Sequence, residues 1–473
     1  MTDRVHMIGI GGIGMSALAK LLLAQGVPVS GSDAQASALT EELARLGATI
    51  GVGHRAEQVE GAARVVISDA IHDDNPELRR ARELGLPVQR RSELLAELMR
   101  DRRGIAVSGT HGKTTVTAMT GLILVEAGLD PAVVVGGECE ALGGNARAGA
   151  GDWMVVEACE AYDSFLDLAP EIAVITNIEP DHLDHHKTEA HLRESFAGFL
   201  RNVLPGGCAV LCAERRELQP LAAGLGREVL TYGLSAEAQV RGVAPELIGA
   251  VIKCTLVVGG EEKGELRVSV PGLHNLVNAL GATAAALRAG APAEACLRGL
   301  ASFTGVARRF EVLGEANGIA VVDDYAHHPT EIAATMAAAG SAFPGRRLVA
   351  VFQPHLYSRT RDFAEGFVKA LQPADVVIVA DIYPAREAPI DSVSSRLIAE
   401  PLQRGKGEDA VFEMAKAEVA EELSALARPG DVVLVMGAGD IGEVAREFAL
   451  RLGIEPKGAR PPAAGKQTTG SRP

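Results

Sequence analysis

The chain has 473 residues, enough for about three domains that each bury a core of their own. Apolar residues make up 47% of it, yet no uninterrupted apolar run approaches the roughly 20 residues needed to cross a bilayer, so membrane insertion is not expected. A formal net charge of −15 with no basic stripe excludes a nucleic-acid partner. It leaves an anionic small molecule open, because helix ends and a few cations suffice to hold one.

The chain enters a strand-like run at Val5, with neither a basic leader nor a small-residue cleavage site, so a cytoplasmic location is expected. Cys139, Cys159, Cys208, Cys212, Cys254 and Cys296 form no C-x-x-C pair and fit a reducing compartment without disulfides. Buried strands are predicted over 5–10, 65–68, 105–108, 153–157, 172–177, 209–212, 320–323, 348–352, 376–380 and 432–436. Helical patterns alternate with them, which is the signature of an α/β protein with mostly parallel sheets. Boundaries are expected in the 94–103 stretch and near 305–308, giving domains 1–103, 104–307 and 308–455. The polar segment 259–264 reads as a hairpin turn, and the tail 456–473 as disordered.

Three glycine loops follow strands. The first, Gly9-Ile-Gly11-Gly12-Ile13-Gly14, has Asp33 about 20 residues on, the dinucleotide fingerprint; it equally suits a diphosphate on a non-redox ligand. The second, Gly109-Thr110-His111-Gly112-Lys113-Thr114-Thr115, is a shortened phosphate loop. Its glycines free backbone N–H groups, Lys113 supplies a point charge, and Thr114 places a hydroxyl where magnesium would sit. The third, Gly437–Gly442, reads either as a ligand-facing loop or as close helix–strand packing.

Other polar residues end predicted strands, where open α/β sheets place ligands. Glu157 and Glu160 follow one strand, and Thr176-Asn177 with Asp181-His182 follow another. Glu157 and His182 could hold magnesium beside Thr114. The plain alternative has Asp181 and Asp184 capping a helix, and His185, His186 and His191 read as surface residues. Asn275 could likewise be only a helix cap. One of Asp323 and Asp324 is expected to cap and the other to work. His327-His328-Pro329 could be a simple turn into a helix, and Arg386 with Glu387 a loop ion pair.

These motifs, with Gly272-Leu-His274-Asn275-Leu-Val-Asn278, Arg308-Arg309-Phe310-Glu311, Asp323-Asp324-Tyr325-Ala-His327-His328-Pro329 and Phe352-Gln-Pro-His355-Leu-Tyr-Ser-Arg359, resemble the Mur ligase family of ATP-dependent amide-forming enzymes to about residue 450. The resemblance implies three domains: a Rossmann-like first domain for UDP-N-acetylmuramate, a central P-loop-type ATPase domain, and a Rossmann-like third domain that brings L-alanine. It implies two magnesium ions, held by Thr114 and by Glu157 with His182. Lys113 and Arg309 would meet phosphates, Asn275 and Asn278 the adenine side of ATP, and Asp324 its ribose. Gly11 to Gly14 would take the diphosphate, and Tyr325, His327, His355 and Arg359 the amino acid. Cys159 and Tyr162 stand where many members carry acids, and Leu356 where many carry arginine.

The chemistry suits these residue types. A carboxylate must be activated before an amine attacks it, and phosphoryl transfer is mostly positioning and charge neutralisation. His327 and His182 are both candidates for the base. A ligase that joins a peptide to muramate during wall recycling would share nearly every motif. A nicotinamide-dependent oxidoreductase and an ATP-gated binding protein stay open as other classes, as do monomer and dimer.

Overall fold

The computed structural model describes residues 3–181, 186, 188–385 and 387–455. His182, Asp184, His185, Arg386 and the tail from Pro456, expected to be disordered, lie outside the described residues. Three sheets build an α/β molecule. The chain falls into two compact units, residues 1–307 with two of the sheets and the remainder from Arg308 with the third. Among the described residues no helix is long and apolar enough to cross a membrane, and the six cysteines are free thiols.

The first sheet is wholly parallel: β1 (Val5–Ile8), β2 (Val29–Asp33), β3 (Thr49–Val52), β4 (Arg64–Ile67) and β5 (Val88–Arg90), in spatial order β3-β2-β1-β4-β5. Its core holds one buried acid. Glu77, fully buried, accepts from Ser32 Oγ (2.7 Å) and bonds the rings of His6 (2.6 Å) and His54 (2.7 Å). Burial alone would raise its pKa; these three partners outweigh that and lower it. The 94–103 stretch, expected as a boundary, is mostly the Arg91–Arg100 helix and runs into the next strand after one turn.

The second sheet has ten strands: β6 (Arg103–Ser108), β7 (Ala132–Cys139), β8 (Gly144–Arg147), β9 (Trp153–Glu157), β10 (Ile172–Ile175), β11 (Cys208–Cys212), β12 (Glu228–Gly233), β13 (Val240–Ile248), β14 (Val251–Val258) and β15 (Glu261–Val268). Their order is β15-β14-β13-β12-β11-β10-β6-β9-β7-β8, with β6 inside the parallel part between β10 and β9. Val, Ile and Ala fill β6, β9 and β10 without alternation, because helices cover both faces. The hairpin turn is shorter than the 259–264 expected. Only Gly259 and Gly260 turn, both at positive φ (58° and 86°), and Val258 already pairs with Glu261. Two left-handed residues match the twist of the flanking strands, so polar Glu261 and Glu262 continue as strand.

Asn145 ties the first two sheets together within this unit. Its fully buried amide donates to Ile13 O (2.7 Å) and Ser16 Oγ (2.9 Å) on the Ile13–Ala24 helix. Its oxygen accepts from Lys20 Nζ (2.8 Å), which also pairs with Glu42 (2.7 Å).

The third sheet comprises β16 (Glu311–Ala316), β17 (Ile319–Asp324), β18 (Arg347–Phe352), β19 (Val376–Ala380), β20 (Val411–Met414) and β21 (Asp431–Met436), in order β16-β17-β21-β18-β19-β20. Only the edge strand β16 is antiparallel. Apolar clusters lie on both faces of the sheet.

Asn145→Ala should strand the Ile13 carbonyl and cost about 2 kcal/mol. The expected outcome is a lower urea midpoint in unfolding followed on the full chain; an unchanged midpoint would remove the tie.

Candidate active site

Strand β6 delivers the chain into residues 109–112, and the Lys113–Glu126 helix starts immediately after them. Gly109 (φ 129°) and Gly112 (φ 84°) take conformations that side chains avoid. A Cβ on Gly109 would strike Thr176, and one on Gly112 the amide of Asn278. Thr176 and Asn177, just beyond β10, brace the loop. Thr176 Oγ donates to His111 O (2.6 Å), Asn177 Nδ2 donates to the same carbonyl (3.0 Å), and Asn177 Oδ1 accepts from His111 N (2.9 Å). Thr110 Oγ accepts from Glu179 N (2.9 Å) and donates to Glu179 O (3.1 Å). Thr114 and Thr115 are buried in the first turn of a helix enclosed on all sides.

Glu157 ends β9 in register with Val107 of β6, which sets its carboxylate at the edge carrying the loop. It accepts from Gly136 N (3.0 Å), and a Cβ at Gly136 would collide with it. Lys113 lies folded inside the loop. Its ammonium donates to Gly109 O (2.6 Å), Thr110 O (3.1 Å) and the Glu160 carboxylate (3.0 Å). Burial opposes its charge, but Glu160 and Glu157 raise its pKa above that of an ordinary lysine. The Cys159 thiol is pushed up to about 11, by burial first and then by Glu160. Thr114 and Glu157 offer oxygens, the donors magnesium selects, so the described residues fit that ion.

Several expectations change here. His186 is buried, not on the surface, and its Nε2 lies 3.2 Å from Glu160 O. The Glu189–Arg201 helix is capped by Thr188, which accepts from His191 N, so Asp181 is not its cap; the capping expected of Asp184 falls outside the described residues. Asn275 is not a cap either. Gly272 holds that position in the Leu273–Arg288 helix, and Asn275 donates back to Pro271 O (2.7 Å) and accepts from Asn278 Nδ2 (3.3 Å). Asn278 thereby rests against Gly112. The sequence marks Glu160 only as a strand-end acid and gives Glu179 no role, because their contacts with Lys113 and Thr110 come from distant parts of the chain.

In the first loop Gly12 is exposed, and Gly11, Ile13 and Gly14 are half-buried at the start of the Ile13–Ala24 helix. Asp33 Oδ2 accepts from Gly11 N (2.9 Å). Arg91 lies beside Gly14, a cation that no motif announced.

In the second unit, Tyr325, His327, His355 and Arg359 come together. The rings of Tyr325 and His327 lie 5.4 Å apart, and those of His327 and His355 6.1 Å. Arg359, buried in the first turn of the Tyr357–Leu371 helix, donates to His355 Nδ1 (3.2 Å). Arg309 sits over the Tyr325 ring, 5.0 Å from its centroid. Tyr383, which the sequence did not single out, stacks on His355 at 5.6 Å. Leu356 takes a positive φ (68°) at the start of this helix.

Neither aspartate caps the next helix, as one of them was expected to, because His328 holds that position. Asp324 accepts from Phe310 N (3.0 Å), Ala326 N (2.8 Å) and Thr335 Oγ (3.1 Å), so it holds the turn. Asp323 is buried between Arg308 (3.6 Å) and Arg446 (3.8 Å). His328 caps the Pro329–Ala342 helix, and Glu331 reaches back to His327 N and His328 N. Glu387 accepts from Ser358 N (2.9 Å) at the start of the next helix. Every glycine of the 437–442 loop faces a close neighbour, Gln353, Tyr383 or Asp323. Close packing accounts for that loop.

A phosphate-type loop on a parallel sheet, with an acid at the adjacent strand end, defines a nucleotide-using α/β enzyme. Family profiles match along the chain: "Mur ligase family, catalytic domain" over residues 4–103, "Mur ligase middle domain" over 107–286, and "Mur ligase, glutamate ligase domain" over 308–439. The chain belongs to the Mur ligase family. It is 46% identical to the UDP-N-acetylmuramate--L-alanine ligase of Geobacter sp. (strain M21), covering 95% of this chain and 98% of that one. The corresponding ligase of Sorangium cellulosum is also 46% identical, with 95% and 96% covered. The structure of the UDP-N-acetylmuramate-alanine ligase from Thermotoga maritima matches with a TM-score of 0.81 and 32% identity, covering 95% and 98%. A murein peptide ligase from Psychrobacter arcticus, at 24% identity and a TM-score of 0.71, shares the fold.

Burial raises the Asp324 pKa to about 6, with Arg309 opposing. A raised carboxylate makes its contribution at low pH and loses it as pH climbs through about 6. Relative to Asp324→Asn, the wild type should therefore gain about 2 kcal/mol in stability on going from pH 7 to pH 4. Denaturant titrations at both pH values test this; a difference independent of pH would contradict it.

Proposed function

We propose that this chain joins L-alanine to the carboxylate of UDP-N-acetylmuramate at the expense of ATP, a cytoplasmic step in making peptidoglycan precursors. The braced loop carrying Lys113 beside Glu157 is the observation that carries the reading. The identities with named L-alanine ligases over nearly the whole chain supply the substrates.

In this reading the loop N–H groups and Lys113 hold the ATP phosphates, and Asn278, stationed by Asn275, takes the nucleotide side. Thr114 and Glu157 would hold magnesium, which when bound neutralises charge on the transferring phosphoryl group. The substrate carboxylate takes the phosphoryl group, and the resulting acyl phosphate is attacked by the neutral amine, releasing phosphate. Gly11 to Gly14 and Arg91 receive the diphosphate of the UDP sugar. In the second unit Arg309 supplies phosphate charge, and Asp324 shapes the turn that carries Tyr325. Arg359 pairs the amino-acid carboxylate with the bidentate geometry of guanidinium. Its bond to His355 Nδ1 fixes that ring's tautomer, with the proton on Nε2. His327, whose Nδ1 bonds Tyr325 O (2.9 Å), would take the amine proton on its other ring nitrogen in this reading.

ADP release in the presence of UDP-N-acetylmuramate should require L-alanine, and a peptide in its place should not support it; the reverse preference would favour the recycling ligase. Lys113→Ala should lower turnover by about a hundredfold or more while the chain stays folded. Arg359→Ala should raise the KM for alanine by about tenfold or more and change kcat less. Wild-type turnover in the first variant, or unchanged alanine dependence in the second, would overturn these assignments.

A further inference from the structure

Glu160 is a nearly fully buried acid that the reaction as described does not use. An ammonium has three donors. Those of Lys113 all go to protein partners: the carbonyls of Gly109 and Thr110, and the carboxylate of Glu160, whose oxygens lie 3.0 and 2.9 Å away. To contact a phosphate the lysine must give up at least one of them.

The chain invests structure in keeping Glu160 there. Tyr162 and Asp163 both adopt left-handed backbone (φ 54° and 56°), a costly conformation for non-glycine residues. The turn is secured by Asp163 N to Glu160 O (3.1 Å) and Phe165 N to Cys159 O (3.1 Å). Ser164 Oγ also donates to Cys159 O (2.9 Å). Phe165 is buried against Phe199 and Phe196 (5.0 and 5.2 Å), and buried His186 lies beneath the Glu160 carbonyl.

We propose that Glu160 is a positioning residue that holds Lys113 withdrawn in the nucleotide-free protein, so that a nucleoside triphosphate draws the ammonium away and the diphosphate lets it return. The inference rests on the phosphate-loop reading of residues 109–115. The Glu160 carboxylate competes with the bound phosphates for the same ammonium and adds like charge close to them. Glu160 therefore weakens nucleotide binding and speeds the release of ADP. The carbonyls of Gly109 and Thr110 are neutral and compete weakly with phosphate oxygens. The charged partner sets the exchange.

The test is calorimetric binding of ADP and of a non-hydrolysable ATP analogue to the full chain, with steady-state kinetics. Glu160→Gln keeps the shape, removes the charge, and should bind both nucleotides about fivefold more tightly or better. Its KM for ATP should fall, while kcat does not rise because ADP leaves more slowly. Glu160→Asp, which keeps the charge but draws it back by one methylene, should lie between the two. A purely structural role predicts weaker binding in both variants, and equal or weaker binding by folded Glu160→Gln overturns the proposal. Should that variant not fold, Glu160→Asp decides: affinity no better than wild type overturns it equally. Lys113→Ala with undiminished nucleotide affinity would instead bring down the phosphate-loop reading itself.

Discussion

The bracing of residues 109–112 by Thr176 and Asn177 is the constraint on which the site in the first unit depends. Two left-handed glycines carry the chain away from β6 and leave their neighbours' backbone groups without a ladder partner. Both sides of His111's peptide backbone are met by the residues that end β10, the next strand in the sheet. The loop is thus held by the sheet, not by its own turns, and its remaining N–H groups need not collapse inward. Because β10 and β9 flank β6, the same register that braces the loop also sets Glu157 beside it. Moving either neighbour by one residue would reverse the faces of its side chains and undo both.

Charge around Lys113 follows from that frame. A lysine at the start of a buried helix meets the positive end of the helix dipole, which disfavours its charge. Burial disfavours it further, and only nearby acids keep it protonated. Glu157 and Glu160 come from one strand end, three residues apart, and the strained turn at Tyr162 and Asp163 follows them. One carboxylate lies against Gly136 N and the other against the ammonium. A single segment therefore supplies both a metal-type oxygen and the lysine's counter-ion. Cys159 between them adds no charge, since burial and Glu160 keep its thiol protonated.

What could be read in the sequence follows from where the physics is local. Buried parallel strands are continuous apolar runs, so β6, β9, β11, β18, β19 and β21 stand out within one or two residues of their ends. Edge strands such as β3, β5 and β16 are short and partly polar, and they take their order from pairing with a neighbour, so no local pattern marks them. Glycine loops and strand-end acids were legible because phosphate and metal chemistry restricts which residues serve there. Partners that act at a distance were not. Glu160 meets a lysine 47 positions earlier, Tyr383 stacks on a histidine 28 positions earlier, and Asn145 bonds a helix 129 residues before it. Asn275 looked like a cap because asparagine favours that position, yet Gly272, at positive φ (99°), takes it and frees the amide to station Asn278.

The two G-x-G-x-x-G loops show why spacing alone does not decide use. Both follow a buried strand and open a helix, and in both the glycines allow close approach. In the first, a Cβ on Gly12 would meet only the backbone of its own loop, and the helix start is open to a ligand. In the second, Gly437 and Gly442 are buried, and a Cβ on them would meet Gln353 or Asp323. Arg308 adds to this by donating to Gly437 O (2.6 Å) while lying beside Asp323 (3.6 Å). The same backbone freedom thus leaves the helix start open at Gly12 in one loop and allows close packing in the other. What separates them is how far neighbouring side chains close over the loop, and that depends on residues distant in sequence.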